Sequence, residues 1–134
     1  MLYKTTSNKS INEIVSAMRK KASDYDLIIR NVFNMSQEFR NHGVAVDEDF
    51  EYYSVMVCNP SKAYQSIKNK PLRGAILLPP KQIVVYKNTD GKSVLAYVAL
   101  EKDDIAKIAP DDNDLQNGLS ASGYKIIEFI KNIK

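Results

Sequence analysis

The chain has 134 residues, 44% of them apolar and 26% charged, which suits one globular domain with its own core. No stretch is long and apolar enough to read as a bilayer span, and a formal charge of +3 is too small to argue for nucleic acid. The single cysteine, Cys58, excludes an internal disulfide and argues against a cysteine-based zinc cluster; the single histidine, His42, weakens metal sites and histidine-dependent triads together.

The amino terminus, MLYKTTSNKS, lacks an apolar signal core. As written the chain suits the cytoplasm. A periplasmic protein with its signal removed would look the same, so the compartment stays open.

Leu2–Thr6 can form a short strand. Ser10-Ile11-Asn12-Glu13 fits a capping box, in which the Ser10 hydroxyl accepts from the Glu13 amide and the Glu13 carboxylate accepts from the Ser10 amide. Ile11, Ile14, Val15, Met18 and Ala22 then recur at helical spacing. Asp26–Asn34 is rich in β-branched residues and predicts a strand, followed by a short helix over Ser36–Asn41 that stops at His42-Gly43. Glu51–Cys58 is the next strand. Asn59 caps a helix with Pro60 at its first position, where a missing N–H costs nothing, and Ala63, Tyr64 and Ile67 form its expected buried stripe.

Asn69–Pro80 is a crossing segment with three prolines. Gln82–Lys87 and Ser93–Ala99 form a hairpin around Asn88-Thr89-Asp90-Gly91, where Asp-Gly favours positive φ angles. Asp103–Ala109 predicts a short helix and Asp111–Gly118 an acidic, solvated loop. Ser122–Ile133 closes the chain as a helix. The order β-α-β-(α)-β-α-β-β plus C-terminal helices predicts an α+β fold, with a mostly antiparallel sheet and helices packed on one face.

The strands carry apolar side chains front and back. Tyr53, Val55 and Val57 oppose Tyr52, Met56 and Cys58, and the hairpin strands do the same. A sheet with one wet face alternates apolar with polar. This pattern therefore predicts a second covered face, and with it a homodimer.

Charge is uneven along the chain. Residues 37–54 and 101–114 each carry a net of −4. Between them, residues 60–92 hold Lys62, Lys68, Lys70, Arg73, Lys81, Lys87 and Lys92 against Asp90, a net of +6. That segment can attract an anionic or planar ligand, or a complementary patch on a second copy; its plainer reading is a set of solvated faces.

Cys58 is the sharpest single site. It ends a strand just before a capped helix, where free backbone amides can favour a thiolate. Asn59 shares that position. The alternative is a small buried apolar residue. His42 is a helix-terminal surface residue unless the fold brings it to Cys58. Tyr53, Tyr86 and Tyr97, with Lys81 and Lys87 nearby, can stack a planar ligand or line an interface. The acidic run Asp47–Glu51 would repel a phosphate backbone, so nucleic acid is not expected. No phosphate-binding glycine loop, paired catalytic carboxylates or nucleophile elbow is present.

Cys58-Asn59-Pro60, Ala63-Tyr64, Gly74, Leu77-Leu78-Pro79 and Ile83-Val84-Val85-Tyr86 together resemble the bacterial family called domain of unknown function 302. The resemblance covers residues 3–100, with 101–134 set apart as a helical extension of one domain, 1–134. It implies a fold similar to the TATA-box-binding-protein class, a curved antiparallel sheet that is typically dimeric, and it implies no agreed activity. Many members look to have a second cysteine after the proline matching Pro79, but here that position is Pro80, which weakens any thiol-pair chemistry.

The chain is therefore expected to be a homodimeric module that binds a small ligand or a protein without evident catalysis and without a cofactor. The alternatives are a thiol-dependent redox or metal- or haem-handling protein centred on Cys58, and a binder of an anionic or planar ligand on residues 60–92. The residues carrying these readings are Cys58, Asn59, Tyr53, Tyr86, Tyr97 and Lys81.

Overall fold

The computed structural model of the chain describes residues 1–77 and 81–134. Residues 78–80, which hold two of the crossing segment's prolines and part of the family motif, lie outside the described residues. Strands β1 (Leu2–Ser7), β2 (Ile28–Asn34), β3 (Tyr52–Cys58), β4 (Lys81–Lys87) and β5 (Ser93–Val98) make one five-stranded sheet in the order β1-β5-β4-β3-β2. Every pairing is antiparallel. The α+β architecture is as the sequence predicts.

Helices α1 (Ile11–Lys21) and α6 (Asn113–Ile133) cover the inner face. The capping box at Ser10 forms in both directions, with Glu13 N to Ser10 Oγ at 3.2 Å and Ser10 N to Glu13 Oε1 at 3.1 Å. Ile14 and Met18 of α1 and Ile126, Phe129, Ile130 and Ile133 of α6 are fully buried against Val55, Ile83, Val85 and Leu95. The helical segment set apart at residue 101 thus completes the main core. Between these helices lie α2 (Met35–Asn41), α3 (Pro60–Asn69), α4 (Gly74–Leu77) and α5 (Lys102–Ile108).

Several local expectations are corrected. The predicted loop Asp111–Gly118 is mostly helix: Asp112 caps α6 by accepting from Leu115 N at 3.1 Å, and Leu115 and Leu119 pack on Ile105 of α5. Burial of that apolar pair outweighs the weak propensities of Asn113, Asn117 and Gly118. Asp112 is not solvated either, since it pairs with Arg73 at 2.7 Å. In α3 no residue is buried, and Tyr64 is 63% exposed. The expected stripe fails because α3 lies beyond the end of the sheet rather than on its face. The β4–β5 turn needs positive φ only at Gly91 (82°), not at Asp90, because the longer connection Asn88–Lys92 replaces the tight two-residue turn.

The outer face is less uniformly apolar than its strands suggest. Ser54 Oγ donates to Gln82 Oε1 at 2.5 Å in its middle, and Lys4 and Thr6 are exposed on β1. Its apolar exposure collects at two ends. Leu2 (68% exposed) pairs with Val98 (59%) at one end. Phe50, Tyr52 and Tyr86 stack at the other, with ring centroids 5.8 and 5.5 Å apart.

Candidate functional site

The start of β1, the end of β5, the start of β4, the end of β3 and the start of β2 all lie at one end of the sheet. The register shows this directly, since Leu2 faces Val98, Val57 faces Lys81 and Ile28 faces Cys58. Antiparallel pairing alone therefore gathers Cys58, Lys81 and Tyr97 from three strands to one edge.

A cavity of about 140 Å³ opens there between α3 and the first half of α6. Cys58, Asn59 and Lys81 line it together with Arg30, Lys62, Ser66, Asp114 and Ser122, over a floor of Val57, Ala63, Leu77, Leu115 and Leu119. Three of the residues singled out by sequence are thus brought together. Asn59 is committed locally, accepting from Lys62 N at 3.1 Å to start α3. Cys58 is half-buried, so it is neither an inert core atom nor a freely exposed thiol.

Lys81 is the electrostatic centre. Its ammonium donates to Ser122 Oγ. Burial holds its pKa below the ordinary lysine value, with the Cys58 sulfur acting in the opposite direction and Lys62 adding to the lowering. Among the described residues no carboxylate pairs with it: the ion pairs are Arg73–Asp112, Lys87–Glu51, Lys125–Asp26 and Lys131–Glu128.

The walls are tied by a second cation. Arg73 donates to Asp112 from Nε and Nη2, both at 2.7 Å, and from Nη1 to the Ser66 carbonyl at 3.3 Å. It therefore fastens α3 to the start of α6. The Arg73 hydrogen bonds hold the Asp112 carboxyl down at about 2.

A larger trough of about 440 Å³ adjoins this cavity and shares Leu77, Lys81 and Leu119 with it. Its other walls are Leu2, Ile76, Gln82, Val84, Ala96, Tyr97, Val98 and Leu100. Tyr97 is 6% exposed, and burial pushes its hydroxyl up to about 12.

The three tyrosines, Tyr53, Tyr86 and Tyr97, do not share one surface. Tyr53 is on the inner face and accepts from Asn34 Nδ2 at 3.2 Å; Tyr86 is on the outer face, stacked on Tyr52 at the opposite end from Lys81. Strand alternation separates Tyr53 from Tyr86 by face, and register places Tyr97 toward the other end. His42 is exposed at the end of α2 and does not line the cavity. Nor does the basic segment form one patch: Arg73 is neutralised by Asp112 and Lys87 lies 3.9 Å from Glu51, leaving Lys62 and Lys81 at the cavity.

Arg30, Ser66, Asp114 and Ser122 were not foreseen. Arg30 sits at a register shift between Ile29 and Asn31, and such a bulge re-aims a side chain. Nothing in the sequence marks it. Asp114 required α6 to start at Asn113, and the signal for that was Asp112 three residues before Leu115; Ser122 opens the predicted helix, but nothing in the sequence marks it as a partner of Lys81.

A single antiparallel sheet backed by helices on one face, with a cation-lined cavity at one end, defines a small α+β domain. The chain belongs to the family described as Domain of unknown function DUF302, whose model matches residues 3–133, the C-terminal helices included. Its fold is similar to the crystal structure of an uncharacterized conserved DUF302 protein from Bacillus stearothermophilus, with a TM-score of 0.79 at 16% identity, covering 99% of this chain and 98% of that one. No curated protein matches the chain.

Proposed function

We propose that this protein is a binding module, acting without catalysis, whose ligand is a small anion held at Lys81. One observation carries the reading. A half-buried ammonium lines a concave site where three cations, Arg30, Lys62 and Lys81, face one carboxylate, Asp114, and its hydrogen bond goes to a neutral hydroxyl rather than to that carboxylate. A buried cation without a counter-charge is costly, and an incoming anion removes that cost. The apolar floor and the small polar set around it suit a ligand site.

Among the described residues the cavity brings Cys58 neither a histidine nor a second sulfur, and its charged neighbour is Lys81 itself. Self-association is part of the proposal. Phe50, Tyr52 and Tyr86 form a partly exposed aromatic stack at the end of the outer face away from Lys81, and such a surface suits a second copy.

Calorimetric titration with butanoate tests the anion site. Binding should weaken as salt rises. Replacing Lys81 by Met should weaken it about ten- to a hundredfold, the worth of a hydrogen bond to a charged group. Equal binding by the variant and by wild type would refute the reading.

A further inference from the structure

Lys81 lies at the junction of two spaces of opposite character. On one side is the 140 Å³ cavity with Arg30, Lys62 and Ser122 and a single carboxylate, Asp114, so its charge with Lys81 is net positive. On the other is the 440 Å³ trough walled by Leu2, Ile76, Val84, Ala96, Val98 and Leu100. Leu77 and Leu119 belong to both, so the two spaces share an apolar border beneath the ammonium.

Among the described residues the trough's polar groups are few: the Tyr97 hydroxyl, the Gln82 side chain and the Lys81 ammonium. The Gln82 side-chain oxygen is already taken by Ser54 Oγ, and the Lys81 ammonium is directed to Ser122. Leu2 and Val98 stay 68% and 59% exposed across from each other at its edge. A compact inorganic anion would fill the cationic cavity and leave the trough empty. A ligand using both spaces needs a negative head and a hydrocarbon tail.

On this ground, and resting on the anion-binding reading above, we infer that the ligand is an anionic amphiphile. Its head is a carboxylate or similar group at Lys81, and its unbranched apolar chain lies along the trough. The chemistry divides cleanly between the parts: the cations select the head, and the trough adds affinity in proportion to apolar surface removed from water.

The test is a calorimetric series of straight-chain alkanoates, from butanoate to decanoate below micelle formation, with octanol as the uncharged control. Wild-type affinity should rise by up to about fourfold per methylene until the trough is full. Lys81→Met should weaken every acid and leave octanol unchanged. Val98→Glu, at an exposed position that tolerates a charge, should flatten the chain-length dependence while sparing butanoate. Butanoate binding with no gain on lengthening the chain would overturn this inference and leave the anion site standing. Acids that bind no better to wild type than to Lys81→Met would overturn both. If Val98→Glu instead split a dimer and left the chain-length dependence intact, the trough would belong to a second copy and the inference would fail.

Discussion

Lys81 and Arg73 show how two cations of one basic segment take opposite roles. Arg73 meets a carboxylate in a two-pronged pair and becomes structural. Lys81 meets a hydroxyl and keeps its charge available. Sequence could not separate them, because the partner of Arg73 lies 39 positions away and the surroundings of Lys81 come from β2, β3, α3, α4 and α6. The Arg73–Asp112 pair makes a pH prediction. The folded Asp112 carboxyl, at about 2, lies below its ordinary 3.8, so the tie is intact above that ordinary value and is lost as pH falls through the folded one. Thermal denaturation should show stability falling between about pH 4 and pH 2. Asp112→Asn should reduce that fall, and an unchanged acid profile in the variant would assign it to other groups.

Helix α6 is where the elements were least legible. Its second half was visible from Ile126, Ile127, Phe129, Ile130 and Ile133 at helical spacing. Its first half was hidden because Asn113, Asn117 and Gly118 are poor helix formers, and only packing of Leu115 and Leu119 on Ile105 makes them helical. That misplaced half carries one wall of the cavity, so the site was half invisible with it. Gly118 lines the cavity, and a Cβ placed there would meet nothing within 4 Å. Gly118→Ala should therefore stabilise the protein by about 0.5–1 kcal/mol in denaturant titration, since it removes only backbone freedom. A loss of stability would mean that the wall is tighter than its geometry shows. The edge at β2 poses a related problem: the bulge that turns Arg30 to the site has no sequence signature.

The architecture was the most legible level. Strand identities, the Ser10 and Asn59 caps and the sheet-with-helices layout follow from local patterns, and the antiparallel register then carries Cys58, Asn59 and Lys81 together. What those patterns overstated was the apolar outer face, because Ser54 and Gln82 satisfy one another across two strands. The proposed self-association is thereby assigned to the aromatic end. Sedimentation at micromolar concentration should give a dimer, and Phe50→Lys, at an exposed position, should shift it to monomer; a wild-type monomer would remove the dimer from the account. The claim on which the functional reading turns is the anion site itself, and amide chemical-shift mapping during butanoate addition tests it most directly. The account predicts shifts clustered at residues 58–63, 81–82 and 118–122. Shifts scattered over the exposed lysines, or none at these three segments, would contradict it.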